Sequence, residues 1–533
     1  MPIYEISGFS GGISDFADRG IKNSFKFGAN LSIRKAVDSL TCQQTLKEEG
    51  EFDSHSPSLS VSPSATGSAS PSVSASKSSS PTPSPSSSVS PSPSPTPSVS
   101  KSASPSVSVS SSVSLSPSPS SGFTTIFEGL IRTFVKASDG YTYGFDNTGC
   151  IYRRDSAGYW QKVYDDPDGE IKGAEEKPSS TGKRWLFWAT DRKLKRKDLD
   201  LDWTEANVET FAQNLESCDW HTMRQVAGSL MIANKEYLAM VGYDDSYTNE
   251  ALDLIPGNTA KTLVERNGRV ITGTVLTGDP TVGINGAVDA EYPLAQVGTD
   301  GDIYYSDMSS SIPVKRFPGG GQVNPGGVCN EVEQINFFEW DQNALSWIDK
   351  QSVGNMALFA VYSADTGYDG IYSYGRKNKN KPFALNLDYA IDGIEELGAI
   401  TSVSGTILVS YRDGPEFGVK AVDSTTKATA TYYGLDFRAP VKKPTNITNW
   451  KYAEVFCSPL PAGTSIQFKY KLNKSSSFTS AMMENGSTTF TASGEKRAVF
   501  LIGEEAEIFE PQVVLTPTGN TSAEVHRVRV YFD

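Results

Sequence analysis

From about residue 123 to residue 440 one pattern keeps returning: a short apolar or aromatic strand, a tight turn of Gly, Asp or Asn, and a second strand. It is seen in Gly140–Arg154 (GYTYGFDNTGCIYRR), Lys183–Leu199, Gly228–Val241, Gly268–Thr274, Gly301–Asp307, Asn355–Lys377 and Gly405–Val422. These are β-hairpins. With Tyr143, Phe187, Ile232, Ile271, Tyr304, Leu358 and Leu408 as markers, the steps are 44, 45, 39, 33, 54 and 50 residues, scattered around the roughly 40–50 residues of a four-stranded propeller blade. A single hairpin has no core of its own, so a row of them must bury each other's faces. The expected fold is all-β, a β-propeller of about six or seven blades, with a two-sheet sandwich carrying long insertions as the alternative. A long α-bundle is ruled out by the hairpins and by 46 Gly and 30 Pro.

The last part of the chain changes character. YAEVFCSPL, TSIQFKYKL, KRAVFLI, EPQVVLTPTG and AEVHRVRVYFD alternate apolar and polar residues between Gly- and Asn-containing turns, as expected of a compact antiparallel sandwich of about six strands. In its final strand Val525, Arg527, Arg529 and Tyr531 share one face, and His526, Val528, Val530 and Phe532 the other. Residues 54–121 are almost wholly Ser, Pro, Ala, Val and Thr, with no aromatic residue. A stretch of this composition has no apolar face to offset backbone ordering and is expected to be a disordered insert. The resulting division is an N-terminal arm or first propeller strand at 1–52, a Ser/Pro-rich linker at 53–122, the propeller at 123–442 and the sandwich at 443–533. Trp203–Ser217 places Val208, Phe211 and Leu215 at helical spacing, which predicts a short helix or a long loop between blades.

A net charge of −14 argues against stable binding to nucleic acid or to an anionic membrane, both of which need net attraction to phosphate. The N-terminus lacks a basic region followed by an apolar one, and apolar runs such as Met356–Val361 are strand-sized. A soluble protein made in a cytoplasm, without membrane insertion, is therefore expected. Cys42, Cys150, Cys218, Cys329 and Cys457 are far apart and form no C-x-x-C pair; they read as buried hydrophobes rather than disulfides or a zinc site. No phosphate-binding loop, zinc-helix or nucleophile-elbow motif occurs, and the only histidines are His55, His221 and His526. No catalytic residue, cofactor or metal is expected. Asp165, Asp166, Asp168 and Glu170 resemble a partial calcium loop but fail its spacing and read as a solvated turn. The run Arg192, Lys193, Lys195, Arg196 and Lys197 reads as a solvated hairpin, with a phosphate contact as its functional counterpart.

Ser363-Ala-Asp365-Thr-Gly367 fits the S-x-D-x-G core of the Asp-box turn of sialidase-like propellers, with Gly370 in place of the expected aromatic. With Trp160, Trp340 and Trp347 taken as exposed aromatics and N-x-[ST] sequons at Asn446, Asn473, Asn485 and Asn520, it supports an alternative reading, an extracellular carbohydrate-binding or sialidase-like propeller on a Ser/Pro stalk. A different resemblance lies in Gly8–Leu40. Gly11, Gly12 and Ile13, followed by Asn30, Leu31, Ile33, Arg34, Lys35 and Asp38, resemble the opening of tail nozzle or tail tubular proteins of short-tailed bacteriophages. That resemblance implies a non-enzymatic virion protein: a propeller in a homo-oligomeric ring, beside other tail or portal-adaptor proteins, with DNA passing only transiently. Assembly contacts are then expected at Gly11, Gly12, Ile13, Phe16, Arg34 and Lys35. Too few apolar residues lie in this arm to form a core alone, so they must be buried against the body or a neighbouring subunit.

Overall fold

The structure, a computed structural model, describes residues 2–7, 9, 13, 26–33, 39–49, 126–254, 358–363, 365, 367–373, 384–438 and 447–533, with Thr259, Ala260 and Leu263. Between 258 and 375 it also gives the backbone of further strands. The Ser/Pro-rich segment lies outside the described residues.

Seven antiparallel sheets follow one another along the chain. Blade I is Ile131–Lys136, Thr142–Asp146, Cys150–Arg154 and Trp160–Asp165; blade II is Gly173–Pro178, Arg184–Ala189, Leu194–Asp198 and Val208–Ala212; blade III is Met223–Val226, Ser229–Asn234, Tyr237–Val241 and Tyr247–Asp253. Blade IV (Asn258–Arg266, Arg269–Leu276, Val282–Asn285) and blade V (Leu294–Val297, Asp302–Ser306, Ser311–Arg316) show three strands each. Blade VI is Val328–Cys329, Ala357–Val361, Gly370–Gly375 and Ala384–Ala390. Blade VII is Glu396–Val403, Thr406–Asp413 and Glu416–Lys427, completed by Gln44–Glu48 from the N-terminus. All seven hairpin markers fall on the second strand of their blade. The 54-residue step is long because a hairpin, Phe338–Asp341 with Ser346–Asp349, is inserted between the first two strands of blade VI.

Apolar cores lie between the blades, as they must when each sheet is buried on both faces. Phe145 and Ile151 meet Leu186 and Trp188 between I and II; Phe187 meets Leu230 and Ile232 between II and III; Leu238 meets Leu263 between III and IV. Leu358 and Ile371 meet Val409 and Tyr411 between VI and VII. The ring closes where Leu408 and Val419 of blade VII pack on Tyr152 and Trp160 of blade I. Ser410 Oγ there donates to Ile131 O at 2.8 Å, and Gly398 lies so close to that carbonyl that a Cβ would collide with it. This is a β-propeller.

The sandwich reaches outside the expected 443–533. Its first sheet has the order Ile3–Ser7, Val525–Phe532, Thr448–Cys457, Arg497–Ala506; its second has the order Phe27–Ala29, Ala430–Tyr433, Ile508–Thr516, Ser465–Leu472, Thr479–Ser480. Val528, Val530 and Phe532 face inward as their alternation predicts. Val525 is buried too, because the ladder shifts register between Phe456 and Cys457 and Leu40 bridges Val525 on its other side. The core of the sandwich is continuous with Phe359, Val361, Leu385 and Leu387 of blade VI.

Trp203–Ser217 is not a helix. A single 3-10 turn, Glu205–Asn207, leads into the strand Val208–Ala212, which pairs with Leu194–Lys197 as the fourth strand of blade II. Strand pairing overrides the helical spacing, and Phe211 packs edge-on against Phe187 at 5.4 Å.

Two consequences follow from how the N-terminal segment is built in. A chain truncated to begin at Gly122 leaves Glu416–Lys427, Ala430–Tyr433 and Val525–Phe532 with unpaired edges and is expected to elute as aggregate in size-exclusion chromatography; a well-behaved monomer would count against this stitching. The chain leaves the described residues at Glu49 and returns at Ile126, and Glu49 and Phe127 both touch Trp160. Replacing 56–119 by a short Gly/Ser linker should therefore change unfolding free energy by no more than about 1–2 kcal/mol in denaturant titrations.

Candidate functional site

Two adjacent glutamates of the N-terminal segment form side-chain bonds at the seam between blades VII and I. Gln44–Glu48 pairs antiparallel with Glu416–Lys427 in a register that sets Glu48 opposite Lys420. Lys420 Nζ and the hydroxyl of Tyr411 donate to the Glu48 carboxylate. One residue on, Glu49 N donates to Val419 O at 2.9 Å, and its carboxylate turns to blade I. There it accepts Arg154 Nε at 2.6 Å, Arg154 Nη2, and Trp160 Nε1 at 2.9 Å. The Arg154 and Glu49 side chains are only 10% and 6% exposed. Trp160, expected on the surface, is fully buried, because its ring fills the inter-blade groove against Phe127 while its indole N–H is satisfied by Glu49.

A second group of bonds ties blades I, II and III together and corrects the reading of the basic run as a solvated hairpin. Leu194–Asp198 is an interior strand of blade II, and its alternation sends Lys195 and Lys197 to one face and Arg196 to the other. Lys195 Nζ binds Asp166 and Asp168 on the link between blades I and II, where Trp188 Nε1 also donates to Asp166 at 2.6 Å. The acidic turn is thus in part a buried anchor: Asp166 is 3% exposed. Arg196 stacks on Trp185 and Phe211 at 4.0 and 4.4 Å and binds Glu209. Lys197 is 1% exposed, donates to the carbonyls of Asp198 and Leu201 and lies 4.7 Å over Trp203; burial holds its pKa below the ordinary lysine range. Lys177 of blade II reaches Asp245 of blade III at 2.7 Å.

His221, on the link between blades II and III, is fully buried, its two ring nitrogens 2.9 Å from the carbonyls of Ala233 and Asp191. Burial pushes its pKa below the ordinary value, although both carbonyl contacts favour the charged ring. Cys42, Cys150 and Cys457 are buried and Cys218 is half-buried, all as free thiols. Glu128, Cys150 and Asp165 offer donor atoms within 4.8 Å of one another, and the ammonium of Lys162 binds both carboxylates, at 2.9 and 3.1 Å, answering their charge. The turn at 363–369 is held by Asp369, outside the Asp-box core: Asp369 Oδ1 accepts Ser363 N at 2.6 Å and Ser363 Oγ accepts Asp365 N at 3.1 Å. It joins the second and third strands of blade VI. Glycine stands at 370 because a Cβ would overlap the carbonyl of Tyr389. Trp340 and Trp347 sit opposite each other in the inserted hairpin, their side chains outside the described residues.

Of the expected assembly residues, Ile13 is described. It is 2% exposed, buried in the core shared by sandwich and blade VI, with its N–H donating to Leu385 O at 2.7 Å; it contacts its own chain. Gly11, Gly12, Phe16, Arg34 and Lys35 lie outside the described residues. Within the same motif, Asn30 takes a left-handed φ of 55°. Its Oδ1 accepts Ala390 N of blade VI at 2.8 Å, and its Nδ2 donates to Thr429 O at the entrance to the sandwich. Leu31 and Ile33 are 0% and 1% exposed. The reading from sequence missed Glu49 and Arg154: they are far apart in the chain and belong to no motif.

No family model and no curated protein matches this sequence. Solved structures similar to part of it include a streptogramin B lyase (11% identity, 56% of this chain and 95% of that one, TM-score 0.34). Also similar are a virginiamycin B lyase from Staphylococcus aureus (11%, 56% and 96%, TM-score 0.33) and a WD40 β-propeller domain (11%, 56% and 94%, TM-score 0.35). At these scores they are likenesses only, and the propeller rests on the sheets described above. Among the described residues no helix is long and apolar enough to cross a membrane.

Glu49→Ala should destabilise the protein by about 3–5 kcal/mol, because it strands the buried guanidinium of Arg154. Glu5→Ala, which removes a half-exposed partner of Arg529, should cost less than about 1 kcal/mol; equal losses in urea titrations would contradict the seam's weight. The pH response has a defined sign. Bonds from Lys193 and Lys195 hold Asp168 below the usual carboxylate range, and a bond from Lys172 does the same for Asp191. Their stabilisation is present above about pH 3.9 and lost as pH falls through their lowered folded values. The lowered pKa of His221 places its contribution above about pH 6.5, lost as pH falls through its folded value. Melting temperature should therefore drop in two acid steps, and His221→Ala should abolish the first while lowering the plateau at neutral pH.

Proposed function

We propose that this chain is a non-enzymatic structural protein of a phage particle, a tail nozzle or tail-hub component whose copies form a ring around the DNA path. The observation that carries this reading is where the N-terminal motif sits: Asn30, Leu31 and Ile33, three of the residues that resemble the tail-protein opening, join blade VI to the sandwich. A protein that must transmit force without deforming benefits from such a tie between its two bodies. The use of charged side chains as bonds between blades I, II and III agrees with a scaffold. The net charge of −14 suits a conduit, since a basic lining would retain DNA through its phosphates. In this reading the protein is made in the host cytoplasm, ends in the virion, and meets other tail or portal-adaptor proteins. The carbohydrate-binding alternative loses Trp160, which is buried.

The test is mass spectrometry and electron microscopy of purified particles. The protein should be present in a fixed copy number and its density should form a ring in the tail; a protein confined to the cytosol and missing from particles would end this reading.

A further inference from the structure

The first sheet of the sandwich turns one face to the core and the other to solvent. Strand alternation and the ladder registers order that outer face into three rows running across Ile3–Ser7, Val525–Phe532, Thr448–Cys457 and Arg497–Ala506. The first row is Ile3, Tyr531, Tyr452 and Leu501; the second is Glu5, Arg529, Glu454 and Val499; the third is Ser7, Arg527, Phe456 and Arg497. Ile3 and Leu501, at the two ends of the first row, are 45% and 49% exposed, and Met482, which bridges Leu501, is 54% exposed. Between the two ends Tyr452 and Tyr531 stack at 4.4 Å. Single exposed apolar residues are ordinary, but a continuous apolar row across a whole sheet marks a contact surface.

Charge and symmetry indicate what covers it. In a chain of net charge −14 these rows hold three arginines and two glutamates, so two copies can meet here without the repulsion that acidic surfaces impose. The rows are also self-complementary. A two-fold axis parallel to the strands, between Val525–Phe532 and Thr448–Cys457, lays Ile3 on Leu501 of a second copy, Tyr531 on its Tyr452, Arg529 on its Glu454 and Arg527 on its Phe456. Glu5 and Ser7 then face Val499 and Arg497, and no like charges are opposed. An axis along the rows would instead set Arg529 on Arg529 and Glu5 on Glu5. Phe456 already accepts the guanidinium of its own Arg527 at 5.2 Å, the kind of contact the first arrangement repeats between copies. We infer that this face is a two-fold contact between copies of the chain, their sheets packed face to face. Such a contact is closed by one pair and leaves every other surface free, so the inference goes beyond the ring reading and does not rest on it.

The test is sedimentation velocity of the full chain at rising concentration, beside Leu501→Glu and the double variant Ile3→Lys with Leu501→Glu. Both positions are exposed, so the circular-dichroism spectra of all three should agree. Pairing predicts that Leu501→Glu halves the mass of the assembled species, and that the double variant, which sets a lysine of one copy opposite the new carboxylate of the other, restores it. A mass that Leu501→Glu leaves unchanged, whether that of a monomer or of a larger assembly, overturns the contact and leaves the face to a different partner. A double variant that stays at half mass overturns the two-fold register. The particle measurement is separate: pairing by a protein absent from particles keeps the contact and removes the phage reading, and an unpaired protein found in particles does the reverse.

Discussion

A propeller must join its last blade to its first, and here the last blade is itself completed by one short ladder, Gln44–Glu48 against Glu416–Lys427. After Lys427 the chain departs for the sandwich at Ala430, so blade VII has no fourth strand of its own. The strand that completes it comes from the other end of the chain, and Glu49 next to it grips Arg154 and Trp160 of blade I. The cost of burying Arg154 and Glu49 is offset only if both are present with their bonds satisfied. The seam, the packing of Trp160 and the entry into blade I thus stand or fall together.

The same economy extends through blades I to III. A propeller blade is buried on both faces, so charged residues on its strands must be answered inside the grooves. Lys195 finds Asp166 and Asp168, and Lys177 finds Asp245. Removing either partner leaves a buried charge, which gives these bonds more influence on which blade sits beside which than on net stability. Arg154, Lys172, Lys177, Lys195 and Lys197 are buried in a chain that is acidic overall.

The sandwich is coupled to the propeller through the N-terminal segment and not only through the link after blade VII. Asn30 has its two amide atoms on opposite sides of that junction, bonding blade VI with one and Thr429 with the other. Tyr4 stacks on Phe437 at 3.9 Å, and Phe9 meets Tyr432 edge-on, so the first residues of the chain pack on the strands by which it enters the sandwich. Such a layout makes the segment a structural component of both bodies at once.

Local pattern alone determined the hairpins, their spacing and the alternation of the last strand, because strand period and turn chemistry are properties of neighbouring residues. All seven marker residues landed on second strands for that reason. The structural place of His221 was legible too, since a lone histidine beside a strand start usually fills a core. What the sequence could not reveal were pairings between residues far apart in the chain. Whether Trp160 is exposed depends on Glu49, more than a hundred residues away, and whether Lys195 is solvated depends on which blade packs beside it. The helical spacing of Val208, Phe211 and Leu215 gave way because blade II had an open edge at Leu194–Lys197. Only the tertiary structure decided that the segment before the Ser/Pro stretch serves as the last strand of the ring, since backbone pairing is blind to sequence distance and rewards any extended segment that can reach an open edge.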